Sequence, residues 1–414
     1  MKVTGIIAEY NPFHNGHLYQ IEQIRHHSDS LIIAVMSGSF TQRGEAAIFD
    51  KWQRAKCAVE SGCDIVLELP FAFACRSAQD FARGGVELLS RLGIVTQLAF
   101  GAETDDLPLL TRLAAQLDIP DFQSQLHENI TSGLSYAQAL TKVLATDDDT
   151  HELLHQPNNI LAIEYLRSLQ KINAPIKPLL IPRQGAGYHD EKLQGHFASA
   201  TAIRQVLYSA DNSADLAAVL PPATYELTSQ FLTSQNLTCQ LPNMNRLYLP
   251  LQAKLLTCQI ADLQKIHGIN EGLENRIFDM SKTAQNWQAL IPAVTTKRYP
   301  ASRIARTLLY IMLGIDKEAI AQFDMSGPLY ARLLAASPKG KRHLKDIKAH
   351  STIPLITKTS QYLTTNKRRE ALKSLTPLEQ MLRLDTIATE LRSLTCEVSA
   401  PRNDFQQSPI FSKT

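Results

Sequence analysis

Glu9-Tyr10-Asn11-Pro12-Phe13-His14-Asn15-Gly16-His17 follows a short apolar run, Val3-Thr4-Gly5-Ile6-Ile7-Ala8, and runs into a helical pattern over residues 16–26. Strand, loop and helix in that order place the loop at the carboxyl end of a strand, where open α/β sheets bind ligands. A helix start there offers free N–H groups and a partial positive charge to phosphate. Gly16 lets the backbone approach a nucleotide without a side chain in the way. His14 on the loop and His17 on the first helical turn then face the same phosphates. As imidazole donors they stabilise charge on the α-phosphate and the leaving pyrophosphate oxygens, with no covalent intermediate required. The stretch therefore predicts ATP binding and adenylyl transfer, with His14 and His17 as catalytic groups. A bare HxGH is only four letters. Its weight comes from the strand before it, the helix after it and the Asn-Pro just ahead.

Working outward, residues 31–36 (LIIAVM), 64–69 (DIVLEL), 98–101 and 178–181 read as further strands. Helical patterns over 46–60, 77–91 and 158–172 lie between them. Strands alternating with helices predict an α/β fold with a Rossmann-like parallel sheet, and continuous apolar strands fit burial on both faces. Past about residue 210 helical stretches dominate: 251–266, 302–313, 316–322, 328–336 and 377–392. The expected division is an ATP-binding domain over 1–210 and a mainly α-helical region over 211–414.

The charge is divided in the same way. The net charge of +2 over 414 residues splits into −6 for residues 1–210 and +8 for the rest, with nine basic residues against one acid between Lys339 and Arg369. A basic half points to a polyanionic partner, although a charge run alone also fits a solvated helical surface. The chain has no run of ~18 apolar residues, so no membrane span is expected, and its N-terminus reads as a strand rather than a signal peptide. Its six cysteines, Cys57, Cys63, Cys75, Cys239, Cys258 and Cys396, form no CxxC pair. Reduced thiols in the cytoplasm are expected, with no metal site and no protein partner.

Other residues join the site by position. Ser37, Gly38, Gln42 and Arg43 sit on a polar, glycine-bearing loop after the second strand, where a small acyl substrate fits. Lys51 opens the next helix and is expected to meet phosphate or the adenylate. Gly101 ends the fourth strand, where a missing side chain lets adenine or ribose pack on the backbone. Asn158 and Asn159 start a helix after Pro157; one caps it and the other is available to the nucleotide, with the choice left open. Arg183 follows the fifth strand and suits bidentate contact with phosphate. His189 is ambiguous between structure and function. Lys297, Arg298, Arg303 and Arg306, with Lys341 and Arg342, are expected on the backbone of the polyanionic partner, and Tyr299 among them is placed to stack on a base where that partner is a nucleic acid.

These stretches carry a resemblance. HxGH, with the later helix start Ser199-Ala200-Thr201-Ala202-Ile203-Arg204, resembles the two motifs of the HxGH nucleotidylyltransferase superfamily. Ser199 would cap the helix and Arg204 would reach back to the triphosphate. GIIAEYNPFHNGH, residues 36–45 (MSGSFTQRGE), Asp50-Lys51-Trp52, residues 100–103, residues 157–161, Arg183 through His189 and Thr296-Lys297-Arg298-Tyr299 together resemble the bacterial tRNA(Met) cytidine acetate ligase family. The likeness covers nearly the whole chain. It implies an ATP site built on Ile7, Ala8, Glu9, Tyr10, Asn11, Pro12, Phe13, His14, Gly16 and His17. It also implies ATP as co-substrate, with Mg2+ carried by the triphosphate. Acetate would be activated as acetyl-adenylate and passed to the wobble cytidine of elongator tRNA(Met), giving N4-acetylcytidine. Two other readings compete. An adenylyltransferase making a nucleotide cofactor leaves the basic half unexplained. An RNA-binding module without catalysis leaves the intact His14, Gly16 and His17 unexplained.

Overall fold

The computed structural model describes residues 2–183, 196–209, 215–233, 241–396 and 403–413. The stretch 184–189 and Cys239, both singled out above, lie outside the described residues.

The sheet is built outward from β1 (Val3–Ala8). It pairs in parallel with β2 (Leu31–Ser37) on one side and β4 (Gln97–Ala102) on the other. Then β3 (Ile65–Leu69) extends it beyond β2 and β5 (Lys177–Pro182) beyond β4, both parallel. The chain moves one way from β1 to β3 and then jumps across to β4. The switch point is thus at β1 and β4, and the ligand crevice of such a sheet lies at their carboxyl ends. Registers level those ends: Ala8 pairs with Met36, and Gly101 with Ile181. Every residue of β2 and β3 is buried, which accounts for their continuous apolar runs.

Helices cover both faces: α1 (Asn15–His27), α2 (Lys51–Glu60), α3 (Ala78–Arg91) and α4 (Pro157–Ile172). The helix expected from residue 46 starts only at Lys51, because Asp50 caps it with a reciprocal Gln53 bond. A further helix, α5 (Ala200–Tyr208), follows β5.

The second half is helical but does not leave the sheet. Residues 328–336 are not a helix; β6 (Ala331–Ala336) lies antiparallel against β3 and is buried throughout. A short apolar run such as Ala331–Ala336 fits a buried strand or a buried helix equally, and its place between strands decides it. The pairs β7 (Leu355–Ile356) and β8 (Ile410–Phe411) lie parallel to the start and end of β6. The sheet order is therefore β5-β4-β1-β2-β3-β6-β7, with β8 on β6. Residues 251–266 break into Tyr248–Thr257 and Ile260–Leu263. The helices used below are α6 (Ala301–Leu313), α7 (Pro338–His350) and α8 (Pro377–Leu394). Among the described residues no helix is long and apolar enough to cross a membrane.

Candidate active site

The loop leaving β1 turns sharply into α1. Tyr10 takes φ of 48°, a left-handed conformation that costs a bulky residue about 1–2 kcal/mol. Packing holds it there: Tyr10 is buried, with its ring 4.8 Å from Phe13 and 4.9 Å from His17. His14 is the N-cap of α1. Its Nδ1 accepts from the Gly16 N–H at 3.0 Å, while its own N–H donates to His17 Nδ1 at 3.2 Å. The two rings stack with centroids 3.8 Å apart.

Both Nδ1 atoms thus act as acceptors, so each neutral ring carries its proton on Nε2. Burial, reinforced by the charges of Arg183 and Arg204, lowers the His14 imidazole to about 3. Burial and the His14 and Arg183 neighbours push His17 well below its ordinary value. The result is a stacked pair of neutral Nε2–H donors at a helix N-terminus, in the crevice of the sheet.

Several expected partners converge on this loop. Ser199 caps α5 through the Ala202 N–H, and Arg204 on the first turns of α5 donates to the Asn11 carbonyl at 2.8 Å. Asn11 in turn accepts the Ile48 N–H at 2.7 Å, tying the loop to the segment before α2. At the other side Arg183 folds over Gly101, where an added Cβ would meet Arg183 Cγ at 3.3 Å. Neither asparagine caps α4, whose N-cap is Gln156. Asn159 is buried, its amide engaged with Glu103 N–H, Thr104 N–H and the Leu153 carbonyl. Asn158 is only half-buried and donates to the Glu103 carboxylate at 2.5 Å.

The loop after β2 lies beside Glu9. The Gln42 N–H donates to Glu9 Oε1 at 2.7 Å. Gly38 packs on Glu68 Oε1 with no room for a Cβ. Ser37 is fully buried, and Arg43 is exposed at the loop tip.

Two residues that hold this arrangement were not legible as site residues. The buried Arg54 donates to the carbonyls of Glu9, Ser37, Gly38 and Phe49, joining the loops after β1 and β2. Arg392 on α8 donates to the carbonyls of Ala47 at 2.7 Å and Ile48 at 3.0 Å. An arginine inside a helix ordinarily reads as a solvated charge. The available signal was that Arg54 falls among Trp52, Ala55 and Ala58, on the apolar side of α2.

Lys51 requires a correction. Its ammonium is fully buried, 2.7 Å from Glu68 Oε1 and 2.6 Å from Asp404 Oδ1. Arg332 on β6 pairs with the same two carboxylates. Lys51 is thus a member of a closed ion network beneath Gly38 and presents no surface to a phosphate.

The basic candidates separate into two places. Arg306 on α6 donates to the Gln42 carbonyl at 2.9 Å, so α6 lies against the loop after β2. Arg303 stacks over the Tyr299 ring at 4.7 Å, and Lys297 is exposed. Arg298 pairs with Glu271 at 2.8 Å. Tyr299 is buried and donates to the Asn270 carbonyl, so its ring is not open to a base. Lys341 and Arg342 lie on α7, whose start is bound to the other end of the sheet. There the Ser337 N–H donates to the Asp64 carbonyl, just before β3, and Lys339 pairs with Asp29, just before β2. A strand the length of β2 separates that end from the histidines, roughly 20 Å.

The arrangement can bind a triphosphate at α1, neutralise it with arginines from β5 and α5, and hold a small acid on the β2 loop. Comparisons with known proteins identify the family. The family model described as HIGH Nucleotidyl Transferase matches residues 1–408. A tRNA(Met) cytidine acetate ligase of Syntrophomonas wolfei is 36% identical, with 99% of each chain covered. One of Caldanaerobacter subterraneus is 39% identical over 95% of each chain. Among solved structures, Thermotoga maritima TmcAL superposes over 100% of both chains, 32% identical, with TM-score 0.88 in its apo form and 0.87 bound with alpha-thio ATP.

Proposed function

The chain belongs to the tRNA(Met) cytidine acetate ligase family, and from this we infer that it is an ATP-dependent ligase that activates acetate and acetylates a cytidine of tRNA(Met). The observation that carries the chemistry is the stacked pair of neutral Nε2–H donors at the start of α1. In the first step an acetate oxygen attacks the α-phosphorus of ATP and pyrophosphate leaves. His14 and His17 donate to the oxygens that gain charge, Arg183 and Arg204 neutralise the triphosphate, and none of them forms a bond to it. Loop residues 9–17 bind the phosphates. Gly101 and Asn158 face adenine and ribose, and the loop with Ser37, Gly38, Gln42 and Arg43 receives acetate. The triphosphate would itself carry Mg2+, since its oxygens suit a hard cation.

In the second step the exocyclic amine of the wobble cytidine of elongator tRNA(Met), turned out of its stack, attacks the acetyl carbon and AMP leaves. The +8 charge past residue 210 supports the basic half as the main tRNA-holding region, in the cytoplasm. The test is incubation of the full chain with ATP, labelled acetate and bulk tRNA. Label in a cytidine of tRNA, with one AMP and one pyrophosphate per acetyl group, is expected. An adenylylated small molecule, or no label in tRNA, would overturn the reading.

A further inference from the structure

Acetyl transfer contains one proton that needs an acceptor. As the cytidine N4–C(acetyl) bond forms, the C–O bond to AMP breaks with its electron pair leaving on the phosphate, and an N4–H proton must be removed. AMP leaves as a stable anion and needs no proton. The obvious groups are poor acceptors. His14 and His17 already use Nδ1 as an acceptor and carry protons on Nε2. Arg183, Arg204 and Arg306 are cations.

Among the described residues three carboxylates border the crevice. Glu103 is committed on both oxygens, to the Asn158 amide and the Asn159 N–H. Glu45 is half-exposed and 3.9 Å from Arg204, so bulk water screens it and lowers its worth as a base. Glu9 differs. It is the first residue past β1, its carbonyl is held by Arg54, and its carboxylate meets the β2 loop through a single hydrogen bond, from the Gln42 N–H to Oε1. That bond orients the group and leaves Oε2 uncommitted among the described residues.

We propose that Glu9 is the general base of the acetyl-transfer step, taking the N4 proton on Oε2 and releasing it to solvent after AMP departs. The inference rests on the ligase reading above. Burial raises the Glu9 carboxyl above its ordinary value, which strengthens it as a base. The Gln42 N–H bond, Arg204 and Arg43 act against that rise and Glu45 with it, while Arg54, Tyr165 and Cys75 also face the group.

Glu9→Gln keeps the size and the acceptor for Gln42 N–H. Two rates are compared in full-length protein: acetate-dependent ATP–pyrophosphate exchange, and single-turnover acetyl transfer to tRNA from preformed enzyme-bound acetyl-adenylate. Transfer is expected to fall about 10²–10⁴-fold, at least a hundredfold more than exchange. In wild type the transfer rate falls as pH drops through the Glu9 titration, and this acid limb is absent in the variant. Equal losses in the two rates, or a retained acid limb, would overturn the proposal. Failure of the ligase reading itself is distinct: wild type would then show neither exchange nor transfer.

Discussion

The reciprocal cap between His14 and His17 fixes which ring nitrogens carry protons, and a titration follows from it. The native His14 imidazole sits at about 3 against an ordinary 6.5. Between those values the unfolded chain binds a proton that the folded chain refuses. The pair's contribution to stability is therefore complete above about pH 6.5 and declines as pH falls toward 3. In the ligand-free protein, carbon-labelled histidine NMR should show neither ring titrating between pH 8 and 5; a midpoint near 6.5 for either would contradict the buried neutral pair. His17→Ala removes one Nε2–H donor and one cap partner. It should cost about 1 kcal/mol of stability and cut acetate-dependent pyrophosphate release about 10²–10³-fold. Release within twofold of wild type would remove His17 from the chemistry. These histidines were legible because their residue types and spacing state the chemistry directly. Arg54 and Arg392 were not, because their work is to bind backbone carbonyls that come together only in the fold.

At the scale of elements, the question is which helix a tRNA meets. In the proposed reading the adenylate forms at the carboxyl ends of β1 and β4, and α6 touches the loop after β2 through Arg306 and Gln42. The start of α7 is bound to the opposite end of the sheet through Asp64 and Asp29. A folded RNA is large enough to touch both ends, but the base being modified reaches only one. Replacing Lys297 and Arg303 with Ala should weaken tRNA binding and flatten the slope of log affinity against log salt by about one to two. The Lys341 and Arg342 double alanine variant should leave acetyl transfer at saturating tRNA unchanged. A larger loss of transfer from the α7 pair than from the Lys297 and Arg303 pair would reverse this assignment. The sequence showed both basic runs but not their separation, since charge counts carry no direction along a strand. It also put 328–336 in a helix, and the structure makes 331–336 a strand, because antiparallel entry beside β3 is a non-local fact.

For the whole molecule, the division read from charge, −6 against +8, coexists with a sheet that both halves build. The parallel strands were legible because each is local and followed by its own helix. The return of the chain through β6 and β8 was not, because Ala335 meets Val66 from 269 residues away and Ile410 from 75 residues away. That return has energetic consequences. A fragment ending near residue 240 lacks β6, so the backbone of β3, a strand apolar at every position but Glu68, faces water. It also lacks Arg332 and Asp404, and so removes two of the four charges around the buried Lys51 and Glu68. Removing one partner of a buried pair costs about 3–5 kcal/mol, and whole domains are stable by only about 5–15 kcal/mol. The fragment should therefore fail to fold cooperatively, even though it carries both nucleotide motifs. Circular dichroism and thermal unfolding decide it: a sigmoidal transition together with ATP binding equal to the full chain would show that the first half stands alone. Asp404→Asn in the full chain isolates the charge effect from the lost strand. It should lower the unfolding midpoint by several degrees while acetate-dependent exchange at low temperature persists, because Asp404 touches Lys51 and Arg332 and not the histidine loop.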